Sequence, residues 1–469
     1  MALSWHPSSL PATITAPVNR LVEAARAAIG GITWAPALAV AKPALLSILS
    51  RIEAGTLLLV DEPAGTRHVF GQKLDGNGNF SNAQASATRC ATTVPRVELI
   101  VKNDAFWMRL FLFSDMGFAE AYMLGDFECE DLTSFFQACI GISSALSTVA
   151  RANNALGNAL LNISAHYDIS NDMFAAFLSP DMTYSCAVWD RPDDITQTDT
   201  KEPLQSAQIR KLHRFINGCK IKSEDHVLEI GTGWGSFAIE AVCKTGCRVT
   251  SLTLSKEQKA LADERIEAAG LQDRIEVLLC DYRELEQSDE KQFDKIVSIE
   301  MLEAVGRDYL ATYFGCIDRL LKDDGGVAMF QCITMPECRY DAYAKSEDFI
   351  SHYIFPGGYL PSITELLNHI TAQSKGTLII ENIENIGGHY PRTLRLWREQ
   401  FMDTFEAKIR PALSKQHPEM TKDAVQVFKR KWEYYFTYCE AGFISKTLGD
   451  VIITVGRERT LELMEGIPL

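Results

Sequence analysis

The sequence predicts an α/β chain in two parts. The larger, carboxy-terminal part is a mostly parallel sheet with helices on both faces, and a smaller mixed α+β domain precedes it. Three observations carry this. From Leu204 onward apolar strand-like runs alternate with helical patterns, which is how a parallel sheet with crossover helices reads. The stretch Val227–Gly235, V-L-E-I-G-T-G-W-G, runs from a short β-forming segment through a glycine turn into a helix. The chain has 469 residues, 46% hydrophobic and 23% charged, an ordinary globular composition with room for two or three domains.

The totals also exclude. A net charge of −15 leaves no basic excess to neutralise phosphates, which argues against general nucleic-acid binding and against loose electrostatic adsorption on an anionic bilayer, a local basic patch apart. The twelve cysteines form no C-x-x-C pair and sit mostly in apolar runs, as reduced buried thiols do in a cytosolic protein. No run approaches the ~20 apolar residues of a membrane span. Met1–Pro17 lacks the basic head and apolar core of a secretory signal. The expectation is a cytoplasmic enzyme without metal.

In chain order, residues 1–40 form an Ala- and Pro-rich extension with a helical pattern at Val18–Ile29. Residues 41–150 form the smaller domain. In it, Gly65–Thr88 reads as loop or hairpin and Arg96–Val101 alternates as a half-buried strand. Asn103-Asp104 caps a helix from Ala105 to Ser114, a second helix ends at Gly125, and a third spans Asp131–Ile142. Ser143–Asn158 is a polar connector. Residues 151–469 form the catalytic domain. Its expected strands are Val227–Ile230, Arg248–Thr253, Ile275–Leu279, Phe293–Ile299 and Gly326–Cys332, with Asp450–Val455 completing the sheet. The insertion from about Thr334 to His389 follows a strand's carboxyl end, where open α/β sheets keep their sites, and is expected to form a lid.

The glycine turn limits the ligand. Gly231, Gly233 and Gly235 let the chain turn tightly and let a ligand lie against the backbone, at the N-terminus of the following helix. A dinucleotide site also requires an acidic residue after the second strand. Here that strand ends in Thr253-Leu254-Ser255. Glu229, two residues before the first glycine, instead fits the E/D-x-G-x-G-x-G form common in S-adenosylmethionine (SAM) methyltransferases. The loop favours SAM over a dinucleotide, with a purely structural turn as the third reading, and the carboxy-terminal domain is expected to be a Rossmann-like SAM-methyltransferase domain with a lid insertion.

Further motifs carry a resemblance. They are G-x-A-E-A-Y-M-x-G at Gly117–Gly125, H-Y-D-x-x-N-D at His166–Asp172, Y-S-C-A at Tyr184–Ala187 and G-x-G-W-G at Gly231–Gly235. L-T-L-S-x-E-Q at Leu252–Gln258, D-Y-R at Asp281–Arg283, Y-I-F-P-G-G at Tyr353–Gly358 and L-P-S at Leu360–Ser362 follow in order. With them the chain resembles cyclopropane-fatty-acyl-phospholipid synthases and the related mycolic acid methyltransferases. The Gly117–Gly125 stretch belongs to the amino-terminal domain of the synthases, and the Ser298–Gly306 run looks like the plant and fungal branch.

The resemblance implies that a cis double bond of a phospholipid acyl chain attacks the sulfonium methyl of SAM. A carbocation forms, a base removes a proton from the new methyl, and a ring closes. Bound bicarbonate is the implied base. A homodimer, peripheral contact with a membrane and lipid presentation by the amino-terminal domain are implied as well. For SAM, the resemblance assigns Glu229, Gly231 and Gly233 to the methionine part, Tyr184 and Ser185 to the carboxylate end, Thr253 and Gln258 to the ribose, and Tyr282 and Arg283 to the adenine side. Thr253 and Gln258 read otherwise as strand-end and cap residues. Bicarbonate falls to the Cys186 backbone, Glu303, Gln331, Ile333 and Arg398.

This sequence departs from the bacterial pattern in three places. E-H-V-G is here Glu303-Ala304-Val305-Gly306, the histidine of L-L-H-T-I is Gln331, and the tyrosine after the late tryptophan is Arg398. Gln331 can donate and accept, and Arg398 can pair bidentately with an anion, so the anion site is expected to survive in altered form. The alternative is a lost anion site and a methyl or methylene branch instead of a ring. A small-molecule N- or C-methyltransferase and a non-catalytic lipid-binding protein are the other readings. Phe349, Tyr353, Phe355 and Tyr359 read equally as lid core or as a wall for the acyl chain; for Tyr434, Tyr435, Phe436 and Tyr438 core packing is favoured.

Overall fold

A computed structural model of the chain describes residues 35–53, 55–71, 95–139, 170–190, 202–287 and 293–465. The readings at Val18–Ile29, Ser143–Asn158, His166–Ile169 and most of Gly65–Thr88 lie outside these. The chain divides into two compact units. The first takes the described residues up to Asp131 together with 138–139 and Thr421–Arg430; the second takes Leu132–Gln137, the described residues from 170 to Met420, and Lys431 onward.

The first unit has a four-stranded sheet, β1 (Thr56–Asp61), β2 (Thr66–Gly71), β3 (Arg96–Val101) and β4 (Phe127–Cys129), in the order β2-β1-β3-β4. β1 runs parallel to β3, and the other neighbours are antiparallel. Leu57, Leu59, Leu99 and Val101 are buried on alternate positions, and Phe106, Trp107, Phe118 and Phe127, buried as well, pack ring against ring. The two expected helices lie within Ala105–Leu124 and meet at a break at Ser114, which has φ +54°. Gly117 is needed at this break, because a Cβ there would lie 2.0 Å from the Arg109 carbonyl oxygen. Gly125, at φ +78°, ends the helix in the left-handed conformation that glycine favours. Of the two expected caps only Asn103 caps, accepting from the Ala105 N–H at 2.7 Å; Asp104 pairs with Lys42 instead.

The second unit carries a seven-stranded sheet. β5 (His226–Ile230), β6 (Arg248–Thr253), β7 (Ile275–Leu279), β8 (Lys295–Ile299), β9 (Val327–Thr334), β10 (Ile379–Asn385) and β11 (Gly449–Gly456) stand in the order β10-β11-β9-β8-β5-β6-β7. All pairings are parallel except those of β11, which is antiparallel to both neighbours. β9 and β11 are buried almost throughout, in keeping with their mostly apolar sequences, and Gln331 and Asp450 are the polar exceptions the site uses.

Two expectations change here. β11 joins the sheet as expected, but inside it, and a strand not expected from the sequence, β10, forms the edge. The insertion is only in part a lid. Its second half, the helix Ile363–Gln373 and β10, belongs to the body of the domain. Leu366 and Ile370 are in the core, because the helix turns its apolar face onto the sheet behind a Ser362 N-cap. Residues 336–362 keep the expected position beyond the carboxyl end of β9.

The order reverses at β5, whose neighbours β6 and β8 are reached in opposite directions. The crevice at the carboxyl ends of β5 and β8 is therefore where such sheets bind ligands. Because β11 is antiparallel, its first residues join this edge; Asp450 stands in register with Ile333.

Candidate active site

The glycine turn between β5 and the helix Ser236–Thr245 is fixed from below and open above. The Gly231 and Thr232 N–H groups donate to the Leu252 carbonyl at 3.0 and 2.9 Å, binding the turn to the end of β6. Gly231, Gly233 and Gly235 have φ of +103°, +52° and +85°. At Gly233 an added Cβ would meet nothing within 4 Å, so its upper face is free for a ligand. Glu229 is buried beneath the turn and accepts from the Ser251 hydroxyl; burial pushes its carboxyl up to about 8. Thr253 donates to the Gln258 side chain at 2.9 Å, and Ser255, not either of them, caps the following helix. Arg283 pairs with Asp281 through both Nε and Nη2 beside Tyr282 and Tyr309. An open glycine turn, hydroxyl and amide groups at the end of β6 and aromatic faces at the end of β7 fit a nucleoside such as SAM.

The irregular segment Tyr184–Cys186 is held by the helix Leu204–Gly218. Lys211, fully buried, donates to the Ser185 hydroxyl at 2.6 Å, and Gln208 donates to the Ser185 carbonyl at 2.8 Å. Tyr184 hydrogen-bonds the Tyr435 hydroxyl at 3.0 Å and stands 5.0 Å, ring to ring, from Trp397. The Cys186 thiol donates to backbone carbonyls, and burial raises its pKa far above the usual thiol range, so it is no nucleophile.

Beside this segment lies a cluster of carboxylates. Glu300, directly after β8, has φ +47°. Its Oε1 accepts from the Cys186 N–H at 2.8 Å and from Gln331 Nε2 at 2.7 Å, and its Oε2 accepts from the Tyr390 hydroxyl at 2.6 Å. Gln331 Nε2 also donates to Asp450 Oδ2 at 2.8 Å. Glu303 Oε1 accepts from the Ile333 N–H at 2.6 Å, while its Oε2 is buried without a partner.

Burial pushes the Glu300, Glu303 and Asp450 carboxyls all upward, and their mutual repulsion adds to it at Glu303, which reaches about 8, and at Asp450. Lys211 is the nearby cation, itself pushed down by burial. The cluster therefore does not carry three full charges. With three donors on it, Glu300 is the member best able to hold one.

The structure brings Cys186, Gln331, Ile333 and Glu303 together as expected, at the carboxyl edge of β8 and β9. It does not bring Arg398 into a hydrogen bond with them; the hydroxyl from that helix comes from Tyr390, two turns earlier. The donors expected for bicarbonate, the Cys186 N–H and the Gln331 amide, are engaged by Glu300. The residues present therefore do not fit bicarbonate at that position. Sequence reasoning missed Glu300, Tyr390, Asp450 and Lys211. The signal for Asp450 is legible, a carboxylate opening the apolar run of β11. That for Glu300 is not, since its direction depends on a left-handed backbone.

Of the aromatic runs, Phe349, Tyr353 and Tyr434 are core, with Phe349 4.5 Å from Tyr434. Phe355 is 40% exposed and faces Tyr184 and Tyr435 at 6.5 and 5.8 Å.

The family model described as mycolic acid cyclopropane synthetase matches residues 155–452. The tuberculostearic acid methyltransferase UfaA1 of Mycobacterium tuberculosis is 38% identical over 376 residues, which is 76% of this chain and 83% of that one. The cyclopropane-fatty-acyl-phospholipid synthase of Escherichia coli is 32% identical over 381 residues, 78% of this chain and 90% of that one. Among solved structures, the mycolic acid cyclopropane synthase CmaA1 complexed with SAH and CTAB superposes with a TM-score of 0.52 at 28% identity, covering 65% of this chain and all of that one.

Proposed function

This chain belongs to the mycolic acid cyclopropane synthetase family, and on that premise we propose that it transfers a one-carbon unit from SAM to the cis double bond of an unsaturated phospholipid acyl chain, forming a cyclopropane. The observation that carries this reading is the carboxylate cluster of half-buried Glu300 and Glu303 with buried Asp450, beside Met301, which packs on the glycine turn. Negative charge fixed beside a site where a lipid cation develops lowers the energy of that cation before it forms. SAM supplies the electrophilic methyl. Gly231, Gly233, Thr253 and Gln258 hold it, Tyr184 and Ser185 border its carboxylate end, and Tyr282 and Arg283 its adenine side. Phe355, Tyr184 and Tyr435 offer aromatic faces to the acyl chain and the cation.

The further elements of the reading are a lipid-presenting role for residues 41–150, peripheral contact with a membrane, a homodimer and a cytoplasmic site. Among the described residues no helix is long and apolar enough to cross a bilayer. The assignment to the plant and fungal branch rests on the Ser298–Gly306 run alone; the two relatives above are bacterial.

One observation favours a second product. The relative at 38% identity is named a methyltransferase, not a cyclopropane synthase. The test is mass spectrometry and NMR of lipids from a bacterial strain lacking its own synthase and expressing this protein. A gain of one methylene mass with ring protons establishes cyclopropanation. The same gain with a branched methyl or methylene signal establishes the second product. No gain on any unsaturated chain refutes lipid as substrate.

A further inference from the structure

We propose that the Glu300 carboxylate is itself the base that removes the proton from the methylated lipid, standing where the family resemblance expects a bound bicarbonate. The inference rests on the lipid reading above and adds a catalytic residue to it.

Position comes first. Glu300 follows β8 at the carboxyl edge of the sheet, and its neighbour Met301 packs on the glycine turn: a Cβ on Gly231 would lie 3.2 Å from Met301 Cβ. Its N–H donates to the Gln331 carbonyl at 2.9 Å, so the residue is fixed to β9 as well.

Next is the cost of its backbone. At φ +47° a residue with a side chain is disfavoured by roughly 1–2 kcal/mol, which glycine would avoid. That conformation aims the carboxylate at three donors from three separate elements, the Cys186 N–H, Gln331 Nε2 and the Tyr390 hydroxyl, all within 2.8 Å. Two of these are donors that the resemblance gives to bicarbonate. A tethered carboxylate offers a pair of oxygens like the carboxylate pair of the free anion, without the entropy lost in capturing one.

The chemistry balances. After methyl transfer the lipid carries a cationic carbon beside the new methyl group. A C–H bond of that methyl breaks, its electron pair forms the C–C bond that closes the ring, and the proton passes to a Glu300 oxygen and then to solvent. One proton is released for each methyl transferred, and no oxidant, reductant or second anion is consumed. Oε2, with a single donor on it, keeps a lone pair for the proton. Glu303, whose Oε2 is buried without a partner, lies beside it with a carboxyl that burial and the Glu300 charge push up to about 8, so the charge stays on Glu300.

The test uses the full chain, SAM and vesicles of dioleoyl phosphatidylglycerol, in buffer stripped of carbon dioxide or supplemented with bicarbonate. The wild type is expected to turn over equally in both. E300Q preserves the shape and both acceptor contacts of Oε1, so it is expected to fold and bind SAM as the wild type does while losing about 100-fold or more in kcat. E300G relieves the left-handed strain and opens an anion-sized space. It is expected to be inactive in stripped buffer and to regain at least about tenfold when bicarbonate is added. A wild type that requires bicarbonate, or an E300Q that keeps kcat within about threefold, overturns the proposal. Absence of wild-type turnover on any unsaturated vesicle overturns the lipid reading first, and the base with it.

Discussion

Tyr390 donates its hydroxyl to Glu300 at 2.6 Å while its ring lies against Phe443, the centroids 4.2 Å apart and the planes 14° from parallel. One face of the residue is core and its tip is site. The two roles can therefore be separated by removing a single oxygen.

Tyr390→Phe keeps the stack and deletes a hydrogen bond to the half-buried Glu300 carboxylate. Such bonds contribute about 1.5–3 kcal/mol, so kcat is expected to fall roughly 10- to 100-fold. Melting temperature and SAM affinity are expected to move little. Titrating the variant and the wild type with SAM and comparing kcat with KM for the lipid checks this; an unchanged kcat would remove Tyr390 from the site.

Gln331 is the only link between Glu300 and Asp450 among the described hydrogen bonds that carries protons to both. Gln331→Glu replaces that donor with a third acceptor between two carboxylates. The change is nearly isosteric, so the cost is electrostatic: about 3–5 kcal/mol at neutral pH, as for a buried charge left uncompensated. Protonation relieves the repulsion, so the melting temperature of the variant is expected to approach that of the wild type as the pH is lowered from 8 to 5. A deficit that does not change with pH would mean that packing, not charge, sets the cost.

Much of this is legible in the sequence, for physical reasons that also explain the rest. β6 and β7 match the sequence expectation to the residue because both are β-rich runs bounded by turn residues. β10 escapes because an edge strand with one exposed face reads I-I-E-N-I-E-N, without an apolar run or clean alternation. Glu303, Gln331 and Cys186 are found because motif spacing keeps them together. Glu300 escapes although it is three residues from Glu303. Nothing in the letters says that the chain turns left-handed there and points that carboxylate inward. Arg398 is expected on the anion from its place in the motif, whereas the helix presents Tyr390 to Glu300 from a position two turns earlier.

Gly233 tests the cofactor site separately from the chemistry. Its φ of +52° means that Gly233→Ala costs about 1 kcal/mol of backbone strain, yet the added Cβ meets no protein atom within 4 Å. The variant is expected to fold with a small loss in melting temperature. If SAM lies against that face, its affinity falls at least about tenfold, equivalent to roughly 1.4 kcal/mol. Calorimetric titration with SAM gives the answer, and wild-type affinity in the alanine variant would move the ligand off this turn.

Glu229 makes the unliganded protein sensitive to pH. Its carboxyl is ordinary in the unfolded chain and is raised to about 8 by burial in the folded one. Between these values the folded state holds a proton that the unfolded state has lost. The stabilisation is thus complete below about 4.5, declines as the pH rises, and is gone above about 8. Each step of one in pH within that window removes about 1.4 kcal/mol, so the whole change from this residue is on the order of 5 kcal/mol, with Glu303 adding in the same direction. Lys211, pushed down by burial, contributes the opposite slope over a window that ends at its ordinary value of 10.5. Glu229→Gln still accepts from Ser251 but cannot ionise. Thermal unfolding at pH 5, 6.5 and 8 is expected to show a steady decline for the wild type and a clearly shallower one for E229Q; parallel lines would mean that Glu229 is ionised in the folded protein throughout, with Lys211 close enough to balance it.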